Sequence, residues 1–155
     1  PLIMSGRPLV QCSLRGRLGA YASSMKVHAI DRLGHAARMA GLGEEHELSL
    51  LLCDNAVIRR LNKRWRNIDI STDVLSFPLH ELRPGKAPSA GPLGDIVISL
   101  PAARFAARVR AMDGRAHLTY LVVHGLLHLL GYDHGTESEE RAMRKKEEQL
   151  MNHLA

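Results

Sequence analysis

At 155 residues and 45% apolar composition, the chain is long and apolar enough for one domain with a real core, which excludes a disordered polymer. No apolar run reaches the roughly 20 residues of a membrane-spanning helix, no signal peptide is evident, and the cysteines, Cys12 and Cys53, lack metal-type spacing, so the sequence reads as a reduced cytoplasmic protein with no membrane partner. The formal net charge is +5 but uneven, with 17 Lys/Arg against 10 Asp/Glu in residues 1–115 and 4 against 6 in residues 116–155, so the basic surface belongs to the first part and favours a polyanion such as RNA, a weak signal by itself.

Residues 1–7 read as a loose end of a single domain covering 1–155. Pro8 to Leu14 is a first strand of mixed pattern. Leu18, Ala22, Met25, Ala29, Leu33, Ala36 and Ala40 recur at helical spacing, and Gly41 and Gly43 close that helix. His28 and His35 on it are surface or packing residues. Glu47 to Cys53 is a buried strand, and Asp54 caps the next helix. On that helix Val57, Ile58, Leu61 and Trp65 are expected to face the core, with Arg59, Arg60, Lys63, Arg64 and Arg66 on the other face. Such a face is ordinarily just solvated, yet five cations beside an aromatic also suit a phosphate backbone.

Ser71 to Leu79 is β-prone, and Pro78, which has no N–H to donate, puts it near a sheet edge. Residues 80–92 hold Pro84, Gly85, Pro88, Gly91 and Pro92 and form a loop. Gly94 to Ser99 is the clearest strand, expected antiparallel to the one before the loop. Pro101 suits the first turn of a helix running to about Met112, with Arg104, Arg108 and Arg110 outward. Asp113-Gly114 breaks it. Thr136 to Glu139 is a capping box opening a charged helix to about Asn152, which keeps Met143, Leu150, Met151 and Leu154 for packing. The order of elements predicts one α+β layer fold, a four-stranded mixed sheet with helices packed on it.

The most informative stretch lies between the last two breaks. Ala116 to Leu130 is mostly apolar and reads as a buried helix that Gly131 stops. His124 and His128 stand at i and i+4, on one face and about 6 Å apart along the axis. His134 arrives from the turn beyond. A histidine pair at this spacing is often mere packing. The pattern HxxxHxxGxxH is far rarer, and three neutral imidazoles with one open position make the layout of a catalytic zinc site. It is a metzincin-like metal-site helix with one departure, since Gly125 stands where a metalloprotease carries its Glu general base. An exposed strand edge beside such a metal suits an extended substrate chain.

Several segments together resemble the YbeY-type endoribonucleases, zinc-dependent rRNA maturation factors. They are Leu61-Asn62 with Trp65-Arg66, Thr72-Asp73-Val74-Leu75-Ser76-Phe77-Pro78, Leu93-Gly94-Asp95-Ile96, and His117 to His124 running on into the histidine motif. The resemblance covers about residue 45 to the C-terminus. The first forty residues fit only in element order. It implies one Zn2+ on His124, His128 and His134, and a functional Arg66 near the metal cleft. It also implies single-strand-directed RNA cleavage in 16S rRNA 3′-end maturation and ribosome quality control, with the ribosomal small subunit and ribosomal or ribosome-assembly proteins as partners. Gly125 is no departure from this family, and Trp65 replaces its more usual Tyr.

The expected chemistry is phosphodiester hydrolysis, with Arg66 gripping the phosphate through its guanidinium fork. The general base is open among Asp95, Asp133 and Ser76, with zinc hydroxide alone as a further alternative, and so is attack by the RNA's own 2′-OH. Asp133 could equally orient a histidine. Two other readings stand beside this one: an amide hydrolase on the same scaffold, and a ribosome assembly factor whose zinc is mainly structural.

Overall fold

The computed structural model describes residues 6–154. Most of the loose end expected over 1–7 therefore lies outside the described residues. Nine elements follow one another: β1 (Leu9–Arg15), α1 (Ala22–Met39), β2 (His46–Cys53), α2 (Asn55–Arg66), β3 (Val74–Pro78), β4 (Gly91–Ser99), α3 (Leu100–Val109), α4 (Gly114–Leu129) and α5 (Glu137–Leu154). The four strands form one mixed sheet in the order β1-β2-β4-β3. β1 and β4 run parallel to β2, and β3 runs antiparallel to β4. The expected α+β architecture and the hairpin-like pairing across the Pro/Gly loop are both present. β3 is an edge strand, as the proline predicts.

Alternation along β2 explains the two layers. Leu48, Leu50 and Leu52 point into the larger core with Ala29, Leu33 and Ala36 of α1 and Val122, Val123, Leu126 and Leu127 of α4. Cys53 points the other way, joining Val57 and Ile58 of α2, Leu75 and Val97 in a smaller cluster. β4 would break its alternation at Leu93 and Ile96, which share the larger core. A register shift between Glu47 and Ser49 of β2 absorbs the extra residue, with Gly94 at φ +138°.

Local chemistry sets the helix ends. Asp54 accepts a hydrogen bond from the Val57 N–H at 3.0 Å and caps α2. Asp113 does the same for α4 through the N–H groups of Arg115 and Ala116. Thr136 Oγ1 accepts from the Glu139 N–H at 3.1 Å, while the Glu139 carboxylate accepts from Gly135 rather than from Thr136 itself. His28 of α1 sits 2.9 Å from Thr119 Oγ1 of α4 and so has the expected packing role.

Trp65 differs from expectation. It is 62% exposed, because the cluster under α2 ends at Leu61 and the last turn of the helix overhangs it. Buried Asn62 takes the inward place instead. Its side-chain N–H donates to the Ile70 carbonyl at 3.0 Å and ties down the returning chain. No described helix is long and apolar enough to cross a membrane.

Candidate metal centre and its cleft

α4 runs through the larger core with ten buried residues, so its two histidines are rigidly placed. Gly131 at φ +96° ends it. The Tyr132 N–H donates to the Leu127 carbonyl at 2.9 Å and the Gly131 N–H to the His128 carbonyl at 3.1 Å, which reverses the chain and delivers His134. One potential ligand atom from each of His124, His128 and His134 lies within 4.8 Å of the others. The Nε2 atoms of His124 and His128 face each other at 3.2 Å. Two nitrogens bound to one tetrahedral zinc at 2.0–2.1 Å would stand about 3.3–3.4 Å apart. The spacing and the all-imidazole donor set therefore fit such an ion. Burial holds the His128 imidazole below its usual pKa, aided by the neighbouring His124 and His134, and this favours the neutral form that binds metal.

A fourth side chain completes the support, and the sequence reading passed over it. Glu147 of α5 places Oε1 3.3 Å from Nδ1 of His124. Burial pushes its carboxyl up, but hydrogen bonds from His124 and Tyr120 prevail and hold it below the ordinary glutamate value. The signal was available. Met143, Glu147, Leu150, Met151 and Leu154 fall on one helical stripe, and a lone carboxylate on a packing stripe needs a partner.

His128 and His134 open onto a cleft of about 700 Å3, lined also by Arg66, Ser76, Pro78 and Asp133, while His124 lines a neighbouring cavity with Tyr120 and Glu147. Nη2 of Arg66 donates to the Ser76 carbonyl at 3.4 Å, and Ser76 Oγ donates to the Gly125 carbonyl at 3.2 Å. Edge strand β3 thus links the arginine to the helix turn between the first two histidines. Of the candidate bases, Ser76 and Asp133 line this cleft, and Asp133 Oδ1 accepts from the His134 N–H at 2.8 Å. Asp95 does not line it. It faces a separate groove beside Gln11, Ser13 and Ser49, because it alternates with Ile96 and so points to the opposite side of β4.

Gly125 is where helix and sheet touch. A Cβ there would lie 2.7 Å from Cγ2 of Ile96, a core residue with no exposure, and 3.3 Å from Ser76 Oγ. A peptidase-type Glu at this position would collide with that core residue.

Fold and site together define an α+β protein that presents a three-histidine centre on a core helix beside an open-edged sheet. A family model described as "Endoribonuclease YbeY" matches residues 21–155. Curated relatives of that name include one from Caldanaerobacter subterraneus subsp. tengcongensis, 48% identical over 119 residues that cover 72% of this chain and 75% of the relative. Another, from Moorella thermoacetica, is 38% identical over 149 residues that cover 92% and 96%. The chain belongs to the endoribonuclease YbeY family. A solution structure of TM1509 from Thermotoga maritima shares the fold, with a TM-score of 0.62 and 24% identity over 92% of this chain and 87% of that one.

Proposed function

We propose that this protein is a metal-dependent endoribonuclease that cuts single-stranded RNA, acting in 16S rRNA 3′-end maturation and ribosome quality control. Family membership supports RNA as the substrate. The observation that carries the chemistry is that His128, His134 and Arg66 line one cleft along the open edge of β3. In this reading His124, His128 and His134 hold one Zn2+. When bound, the ion supplies an activated water or polarises a phosphoryl oxygen.

The chain's own residues do the rest. Arg66 has five N–H donors, and one is spent on the Ser76 carbonyl. The others grip the scissile phosphate and offset the charge that develops at phosphorus. β3 holds that arginine in fixed relation to α4 through Ser76. An amide-hydrolase role is disfavoured because the contact of Gly125 with Ile96 leaves no room for the proton-transferring Glu. Ribosomal RNA, the small subunit and assembly proteins are the partners this reading implies, in the cytoplasm.

The test is Arg66→Ala with zinc content measured alongside. Cleavage of an unstructured RNA should fall by about 100-fold or more while zinc is retained, and oxygen from labelled water should enter the wild-type product. Cleavage at the wild-type rate in the variant would remove Arg66 from the mechanism. A 2′,3′-cyclic phosphate product would replace hydrolysis with internal attack.

A further inference from the structure

Trp65 is the only tryptophan in the chain, and it stands 62% exposed on the last turn of α2. Cations flank it. The Arg64 guanidinium lies 5.1 Å from the centroid of its ring. Arg59 is neutralised by Asp69 at 2.9 Å, whereas Arg60, Lys63 and Arg64 are exposed and form no ion pair among the described residues. The next residue, Arg66, lines the cleft. One helix end therefore offers phosphate-binding charge, an exposed indole with Arg64 over one face, and the cleft arginine in direct succession.

Sequence-tolerant sites for single-stranded nucleic acid are built from those two parts, a cationic track and a ring on which a base stacks. A duplex keeps its bases stacked internally and cannot use the ring. A protein partner would be expected to meet a broader apolar surface; exposed Ile68 and Ile70 follow the helix, but the indole itself carries Arg64 over its ring and shares its helix with Arg60 and Lys63.

We propose that Trp65, with Lys63 and Arg64, forms an accessory binding platform for single-stranded RNA, stacking an unpaired base of the substrate strand as it passes Arg66. The proposal rests on the RNA-cleaving reading of the cleft. It goes beyond that reading by assigning a second contact surface outside the cleft.

The lone tryptophan makes the test direct. Zinc-loaded full-length protein is titrated with an unstructured oligouridylate and with a hairpin duplex of equal length, at two salt concentrations, while indole fluorescence is followed. Saturable quenching by the single strand, weaker with the duplex and at higher salt, is expected. Trp65→Ala should bind the single strand about 5- to 100-fold more weakly, and Trp65→Phe should recover most of the loss. Lys63→Glu should weaken binding and flatten its salt dependence, and all three variants should keep their zinc. Quenching without any RNA cleavage would support the platform and remove the nuclease reading. Normal cleavage with unchanged indole emission, and equal affinity in Trp65→Ala, would overturn the platform and leave the nuclease reading standing. Quenching by an acidic protein partner but not by RNA would also overturn it.

Discussion

Glu147 and His124 meet across the interface of α5 and α4, with Oε1 3.3 Å from Nδ1. The contact fixes which imidazole nitrogen carries the proton. Nδ1–H donates to the carboxylate, so Nε2, turned toward His128, keeps its lone pair for a metal. Tyr120, whose ring lies 5.8 Å from that of His124, also helps to hold the Glu147 carboxyl below its ordinary value. Glu147→Gln should weaken zinc binding about 10- to 100-fold with the helical content unchanged, read by competition with a chromophoric chelator. Tyr120→Phe should have a smaller effect in the same direction. Wild-type affinity in Glu147→Gln would reduce the pair to packing.

The contact of Gly125 with Ile96 gives a second prediction. Gly125→Ala gains roughly 1 kcal/mol of helix propensity but must push a buried β-branched side chain off its 2.7 Å approach, and overpacking of this kind costs about 1–3 kcal/mol. The net change should be destabilising in urea melts. Gly125→Glu should be worse, since it also buries a carboxylate, and should show no peptidase activity on casein with zinc restored.

Much of this was legible in the sequence because local rules and tertiary demands agree there. The histidine spacing follows from the pitch of a helix, Asp54 is a cap by its chemistry, and Pro78 can sit only where no donor is needed. What was missed depends on where helices end in space. Trp65 continues the inward stripe of α2 by periodicity, yet the helix outruns the cluster beneath it. Glu147 lies on the packing stripe of a charge-rich helix, so its need for a partner was readable, but which partner was not, since His124 lies 23 residues away. Asp95, by contrast, could have been set aside from β4 alone, since it alternates with Ile96 and Ile98, which face the larger core.

His117 supplies a pH prediction. It has no exposure, and neither ring nitrogen has a hydrogen-bond partner among the described residues, with Asp73 Oδ2 4.0 Å from Nε2. Burial holds its pKa below the ordinary 6.5, with Arg110 adding to the shift and Asp73 opposing it. The unfolded chain therefore takes up the proton more readily than the folded one. The stabilisation from neutral His117 is complete above pH 6.5 and is lost as pH falls through that value toward the lower folded pKa. Denaturant melts of zinc-loaded protein should show stability dropping between about pH 7 and pH 5. In His117→Phe, whose ring can keep the stacking on Tyr120, the drop should be smaller over the same range. Identical pH profiles would show that His117 does not titrate across folding.

The proposed function stands on three imidazoles holding one metal ion that the cleft uses to cut RNA. The most direct measurement is the metal content of untagged protein alongside cleavage of an unstructured RNA, before chelation, after chelation and after zinc is restored, for wild type and His128→Ala. Expected are one equivalent of metal in the wild type, loss of cleavage with its removal and recovery with zinc, and neither metal nor cleavage in the variant. Full cleavage by the metal-free protein, or by His128→Ala, would contradict the proposed function.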